Sequence, residues 1–505
     1  MEEKAINGVR WTILTYAVSK VITFCATVVL ARLLVPADFG VVMLAFVAIN
    51  VVGLFGDLGL GATLVVRHDL DERDMGTVLT MLLASGAVLA LLLVVVSPLL
   101  ASAFDEPRLR GVLVALSPMT IVGSFNWFYQ WYLQRELEFR TRFFGFVAQT
   151  TAYSSVAIGS AVLGAGVWSI VAGHLAGQTS MAFLYLVLGG AIRPRFNRAL
   201  AWDLLRTSKG FMLQTAALLL QGEADYVAVG ITRGPQDLGL YSMAFRLGEL
   251  QYLAIADPVA RVTFPGFARM RARGEDVHRQ YLGVLRLVAL AAFPVGALLS
   301  AAAGPFTRLV YGSKWVGMIT ALSVLAVWGT AKCIQFTIQW FLNSIGGQHE
   351  AGVISLVFLA PQVPLLFWAA DAFGIAAVGG VLLGAVLVSL PFYMAAVKRR
   401  LDVSIAAHLS ALWPVTGAAI AAWAATRATV SIAPTEELLA LVVPVAVGGA
   451  VFLAVVSILA PGILPTAIRQ ARRAALGGDT PAVVPDVEEA EAVATAWAPV
   501  DVEQP

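Results

Sequence analysis

Apolar runs of 18 residues or more recur along almost the whole chain, separated by short polar breaks. A run of that length crosses the hydrocarbon core of a bilayer as a helix, because lipid offers no other partner for backbone polar groups. The runs are continuous, whereas a membrane β-barrel would alternate apolar and polar positions. The pattern predicts an all-α, polytopic membrane protein with fourteen spans. They fall at about 11–31, 39–63, 75–103, 111–134, 143–164, 166–190 and 209–232, then 238–260, 281–304, 318–343, 350–370, 375–397, 406–428 and 437–463. Gly164-Ala165-Gly166 leaves a very short turn between the fifth and sixth.

One stretch occurs twice. Leu33–Phe46 joins the first two runs, and Ile231–Phe245 joins the seventh and eighth. Without a gap, Pro36, Asp38, Gly40, Ala45 and Phe46 fall on Pro235, Asp237, Gly239, Ala244 and Phe245. Pro presets a turn, Asp is a good helix N-cap, and Gly lets the new helix pack closely. Equal spacing in equivalent contexts points to an internal duplication. Six spans separate the copies, so the halves are parallel, related by an axis along the membrane normal. The expected division is 1–192 for an N-terminal six-helix lobe, 193–208 for a basic linker and 209–400 for a C-terminal six-helix lobe. Residues 401–464 add two helices, and 465–505 form a tail, acidic and disordered after 477.

Charge sets the expected orientation. Of 34 Lys and Arg, 24 fall on one set of loops and termini, 7 on the other and 3 inside spans. The positive-inside bias therefore places both termini in the cytoplasm, the basic loops 193–209 and 261–279 inside, and both repeat turns outside. The N-terminal run lacks a cleavage signature and reads as a retained span of an inner-membrane protein. With 59% hydrophobic and 13% charged residues, well under the ~25% charge of soluble domains, nothing suggests a nucleic-acid partner. Cys25 and Cys333 sit within apolar runs and read as packing residues.

Catalytic signatures are absent. The chain has no P-loop, no H-E-x-x-H and no Cys/His cluster of metal spacing, so no cofactor is expected. Asp69-Leu70-Asp71 could hold a divalent metal in a nucleotide-binding domain, but its short loop reads as solvated polar surface. The informative residues are polar groups at mid-depth: Lys20, Glu223, Arg246, Glu249 and Lys332, with Asp225 slightly outward. Each costs ~2.5–3.5 kcal/mol facing lipid, so they are expected to face protein or a wet cavity. Polar stripes agree. Lys332, Gln335, Gln339 and Asn343 share one face of span ten. Asn126, Gln130 and Gln134 share one of span four, and Thr12, Tyr16, Lys20, Thr23 and Thr27 one of span one. Gln214, Gln221 and Asp225 do so on span seven. Lys20, Arg246 and Lys332, with Gln335, Gln339, Gln130 and Asn126, are the candidate substrate contacts. Glu223, Asp225 and Glu249 are the candidate ion-coupling acids. The plainer alternatives stay open: Arg246 and Glu249 could simply pair on one helix, and Asn or Gln could glue helices together. Likewise Trp127, Phe128, Tyr129, Trp131 and Tyr132 read as an interfacial belt or as a sugar-stacking platform. His174 and Gln178 read as packing.

The motifs Ala31–Gly40, Asp57–Ala62, Leu133–Arg140, Gly164–Trp168, Asp225-Tyr226 and Gly234–Ser242 resemble the Wzx-type oligosaccharide flippases. These belong to the polysaccharide-export branch of the multidrug/oligosaccharidyl-lipid/polysaccharide exporters. The likeness covers roughly residues 5–400, leaving the tail outside. It implies two lobes around a central cavity that opens alternately to each side. It implies a polyprenyl-diphosphate-linked oligosaccharide as cargo, membrane lipid around it, and a proton or sodium gradient as energy source. A polysaccharide polymerase and chain-length machinery are candidate partners. The alternative within transport is a drug or lipid-linked peptidoglycan-precursor exporter. A membrane-embedded polymerase or ligase would need a large outer loop, and none is present.

Overall fold

The computed structural model describes residues 2–53, 60, 71–190, 192–273, 277–432, 434 and 436–461. Among these residues the chain is helical throughout, without strands. The helices are α1 Glu2–Leu33, α2 Pro36–Gly53, α3 Glu72–Ala103, α4 Pro107–Leu116, α5 Pro118–Arg135, α6 Phe139–Val162 and α7 Val167–Leu188. The long α8, Arg198–Gln251, is followed by α9 Asp257–Ala272, α10 His278–Ala301 and α11 Ala303–Val310. Then come α12 Ile319–Ser344, α13 Gln348–Phe373, α14 Ile375–Leu401, α15 Ile405–Ile432 and α16 Glu437–Leu459.

Local chemistry explains the punctuation. Asp71 caps α3: its Oδ1 accepts from Asp74 N–H at 2.8 Å, and Asp74 Oδ2 accepts from Asp71 N–H at 3.2 Å. This reciprocal pair satisfies two otherwise orphaned donors. Asp71 is thus a helix cap, while Asp69 lies outside the described residues. Asn197 caps α8 through Ala199 and Leu200 N–H. Gly234 breaks α8 at φ +77°, and Pro235 opens its second arm. A positive φ favours glycine, and proline fits the first turn of a helix, where its missing N–H costs nothing.

Nine described helices are long and apolar enough to cross a membrane, and the bent α4–α5 pair makes a tenth. They coincide with ten of the fourteen expected spans. The other four, 11–31, 143–164, 209–232 and 238–260, fall on α1, α6 and the two arms of α8. The expected end of span two, the Asp57–Ala62 motif apart from Leu60, and the acidic tail lie outside the described residues.

The loops sort to two ends of the bundle. At one end the two repeat turns meet. A Cβ on Gly40 would lie 2.6 Å from the Pro235 carbonyl carbon and closer to its oxygen. A Cβ on Gly239 would lie 2.6 Å from the Pro36 carbonyl carbon and closer to its oxygen. Each glycine thus admits the backbone of the other turn. Arg32 donates to the carbonyls of Val310 (2.9 Å) and Leu309, and Trp315 Nε1 donates to Ala31 O at 2.8 Å. Trp315 is fully buried, edge-on to Phe39. Around this clasp packs a large apolar cluster that includes Leu30, Leu44, Leu238, Tyr241 and Leu322. The opposite end holds basic loops. Arg195 N–H donates to Gly76 O at 3.1 Å, and Arg400 grips Glu350 through both carboxylate oxygens at 2.6 and 2.8 Å.

The aromatics of α5 differ from the expected belt. Trp127 is exposed, but Phe128 and Tyr129 are fully buried. Tyr129 Oη donates to Gly190 O at 2.7 Å and accepts from Ile192 N–H at 3.3 Å, so it fastens the end of α7 instead of facing lipid headgroups.

Candidate functional site: a polar cavity beside α12

A cavity of about 1180 Å³ lies among α8, α12, α13 and α14. It exceeds the ~300–1,000 Å³ of a typical small-molecule pocket. It runs along α12 from Trp328 to Asn343, roughly 22 Å at helical rise, and on to Gln348. That direction leads away from the repeat-turn clasp and towards the basic end.

The polar face of α12 builds one wall. All four residues of its stripe, Lys332, Gln335, Gln339 and Asn343, line the cavity. Lys332 Nζ donates to Gln335 Oε1 at 2.9 Å, and Gln335 Nε2 donates to Ser389 Oγ of α14 at 2.7 Å. Gln339 Nε2 approaches Ser355 Oγ of α13 at 3.5 Å, and Ser355 shares a hydrogen bond with Tyr393 Oη at 2.8 Å. This network crosses three helices and fixes the wall.

The acids come from α8. Glu223, Asp225 and Glu249 all reach the lining, but their surroundings differ. Asp225 is buried, accepting from Tyr241 Oη at 2.6 Å and from Tyr226 N–H at 2.9 Å. Its oxygens are committed to the protein. Glu249 accepts from Tyr252 Oη at 3.3 Å. Glu223 accepts from Asn50 Nδ2 of α2 at 2.9 Å, and its second oxygen is buried without a partner. A buried acceptor left open costs roughly 1–3 kcal/mol, which marks Glu223 as the acid with spare capacity.

The expected meeting of three cations on one cavity is not what the lining shows. Lys332 is the one basic side chain on it among the described residues. Lys20 and Arg246 are both exposed and stand off this wall, although the charge of each acts on Glu249. The Arg246 charge also acts on Tyr153 of α6 and His174 of α7 in the N-terminal half and on Tyr226 and Tyr311 in the C-terminal half. No ion pair joins Arg246 to Glu249 among the described residues. Asn126 donates to Gln178 on α7, at 2.7 Å to its Oε1, and Gln130 is half-buried on the same helix. Neither reaches the described lining, because the Asn126 face of α5 packs on α7. His174 sits between the rings of Phe46 and Tyr153, each at 4.6 Å, as a packing residue. The side chains of Thr12, Tyr16, Gln214 and Gln221 lie outside the described residues.

Several lining residues escaped the sequence reading. Phe336 and Trp340 stand one position after Gln335 and Gln339, so they widen the polar stripe with an aromatic edge. The i, i+4 spacing of the two rings was the available signal. Ser389 gave none, nor did Asn50, which holds Glu223 from outside the lining, since their partners lie 54 and 173 residues away. Among the described residues, no group of three His, Cys, Asp or Glu side chains could hold a metal.

The family model for polysaccharide biosynthesis proteins matches residues 29–320. The chain belongs to that family. Within it, the chain is similar to the teichuronic acid biosynthesis protein TuaB of Bacillus subtilis, 27% identical over 55% of this chain and 58% of TuaB. The lipopolysaccharide biosynthesis protein WzxC of Escherichia coli is 21% identical over 82% of this chain and 85% of WzxC. Among solved structures, the lipid II flippase MurJ in an inward closed conformation aligns with a TM-score of 0.73 at 15% identity. That alignment covers 89% of this chain and 98% of MurJ. An inward-facing multidrug transporter of the MATE family aligns at 0.58, covering 75% and 94%. The polysaccharide biosynthesis family and the shared fold make this an all-helical, multi-pass membrane protein of transporter architecture.

Proposed function

We propose that this protein is a flippase that moves polyprenyl-diphosphate-linked oligosaccharide across the cytoplasmic membrane for cell-surface polysaccharide assembly. The observation that carries the reading is a large cavity with a polar wall on α12 that extends to one end of the bundle while a backbone clasp closes the other. Such a chamber can hold a saccharide while the lipid tail stays in the bilayer. The relatives supply the cargo class: lipopolysaccharide and teichuronic acid biosynthesis, succinoglycan biosynthesis transport, and lipid II flipping.

In this reading the halves 1–192 and 209–400 rock about the cargo, with fourteen spans and both termini in the cytoplasm. The positive-inside bias puts the cavity mouth on the cytoplasmic side and the clasp outside. Lys332 contacts the diphosphate or an adjoining polar group, since a cation strengthens a hydrogen bond to an anionic oxygen. Glu223 is the first choice for the coupling ion, because a proton or sodium ion there satisfies its open oxygen and competes with Asn50. Cargo and ion shift the two states only through differential contacts. A leaflet-resolved flipping assay with purified protein in vesicles tests the reading. Cargo should reach the far leaflet under an ion gradient, and Lys332→Ala should slow it more than Lys332→Arg. Equal transport by empty vesicles would refute it.

One observation favours a second reading. Three acids and one lysine on the described lining suit a cationic drug. Gradient-driven efflux of a lipophilic cation from the same vesicles, with no movement of lipid-linked sugar, would establish that exporter instead.

A further inference from the structure

The cavity changes chemistry along its length. Its deep part carries all the charge on the described lining: Glu223, Asp225, Glu249 and Lys332. Towards the mouth the polar side chains are uncharged: the amides Gln339, Asn343 and Gln348, with Ser355 and Tyr393 beside Gln339. Trp340 joins them, edge-on to Phe264 at 5.5 Å and 5.7 Å from Phe336.

These amides hold unspent hydrogen-bonding capacity. Asn343 Oδ1 is buried and has no partner. Gln339 reaches Ser355 only at 3.5 Å, the outer limit of a hydrogen bond. A side-chain amide both donates and accepts, which matches a hydroxyl that does the same. An aromatic wall beside the amides adds apolar surface for the C–H face of a sugar ring.

A carboxylate fares differently there. Lys332 is already bonded to Gln335 and stands 11 residues from Asn343 along α12, roughly 16 Å at helical rise. The acids of the described lining lie in the same deep part, so none of its charges meets a carboxylate at the mouth. Taking a carboxylate out of water with no cation on the described lining to meet it is costly, whereas a hydroxyl bonded to an amide loses little. Discrimination of this kind comes from the unfavourable partner as much as from the favoured one.

Resting on the flippase reading above, we propose that the amide-and-aromatic mouth of this cavity receives the saccharide and selects neutral sugars over acidic ones. Gln348 is exposed at the rim, at the start of α13, so a charge placed there leaves the fold intact. It offers a way to reverse the selection without disturbing the core.

The test uses the full chain in vesicles with two synthetic cargoes on the same polyprenyl diphosphate. One carries a neutral tetrasaccharide and the other the same tetrasaccharide with one hexose oxidised to its uronate. The expected result is about tenfold faster flipping of the neutral cargo, equivalent to ~1.4 kcal/mol of discrimination. Gln348→Lys should narrow that ratio by raising the rate of the uronate. Equal or faster flipping of the uronate by the unaltered protein overturns the proposal and leaves the flippase reading standing. An unchanged ratio in Gln348→Lys overturns it as well. Failure to move either cargo removes the flippase reading, and the selectivity falls with it.

Discussion

Replacing Gly239 by alanine puts a methyl group where the Pro36 carbonyl now lies. The new Cβ would stand 2.6 Å from the carbonyl carbon and nearer still to the oxygen, and 3.2 Å from Gly40 N. Those atoms are backbone, so no side chain can rotate away. The two turns must part by about 1.5 Å to restore ordinary contact with that oxygen, and forced overpacking of this kind costs ~1–3 kcal/mol. If the cost falls on the clasped state alone, the clasped population drops by about 5–150-fold relative to the open one. Leu240 lies beside the contact and is 7% exposed, which makes Leu240→Cys a reporter in a background lacking Cys25 and Cys333. A membrane-impermeant thiol reagent should label it faster in Gly239→Ala by a factor in that range. Gly40→Ala should do the same, and the double variant should add little, because one separation relieves both clashes. Gly384→Ala is the control, since a Cβ there meets nothing within 4 Å. A lowered melting temperature with unchanged labelling would refute the reasoning: the turns would then be fixed scaffold and not a gate.

Three further outcomes are expected. Trp315→Phe keeps the edge contact with Phe39 but leaves Ala31 O without its donor, so melting should fall by the equivalent of ~1–3 kcal/mol and reporter labelling should rise; no change in either would remove Trp315 from the clasp. Glu223→Gln should leave flipping insensitive to collapse of the ion gradient, and full retention of gradient dependence would assign coupling elsewhere. The Arg108 side chain holds the Glu106 carboxyl below the ordinary carboxylate range. A lowered value means that their pairing supports the α3–α4 turn at neutral pH and is lost as pH falls through it. Exchange of the Arg108 amide, which donates to Glu106 Oε1 at 3.1 Å, should therefore accelerate relative to its intrinsic rate on acidification, and Glu106→Gln should abolish that dependence.

Run length alone located the helices, because the bilayer makes length a physical requirement. The α12 stripe was legible for a similar reason: helical periodicity puts residues 332, 335, 339 and 343 on one face whatever surrounds it. Which face of α5 or α8 meets the cavity is a tertiary matter. Asn126 shows the same periodicity as Gln335, yet its amide N–H is given to Gln178 on the neighbouring α7. Arg246 and Glu249, three residues apart, lie only about 60° apart around the helix, yet no ion pair joins them among the described residues, and Glu249 accepts from Tyr252 instead. The repeat was visible as five matched residues, whereas the reciprocal seating of Gly40 and Gly239 needed the two turns to be brought together across 199 residues.

That seating has the form of an isologous interface, in which a surface meets its own copy about a twofold axis. Two separate subunits joined this way would close by diffusion, at a rate set by their concentration. Here both copies ride on one chain, so each opening leaves the partner turn tethered at high effective concentration. Reclosure is then a first-order event, indifferent to how many molecules the membrane holds. A transporter built so can keep a constant cycle at any level of expression.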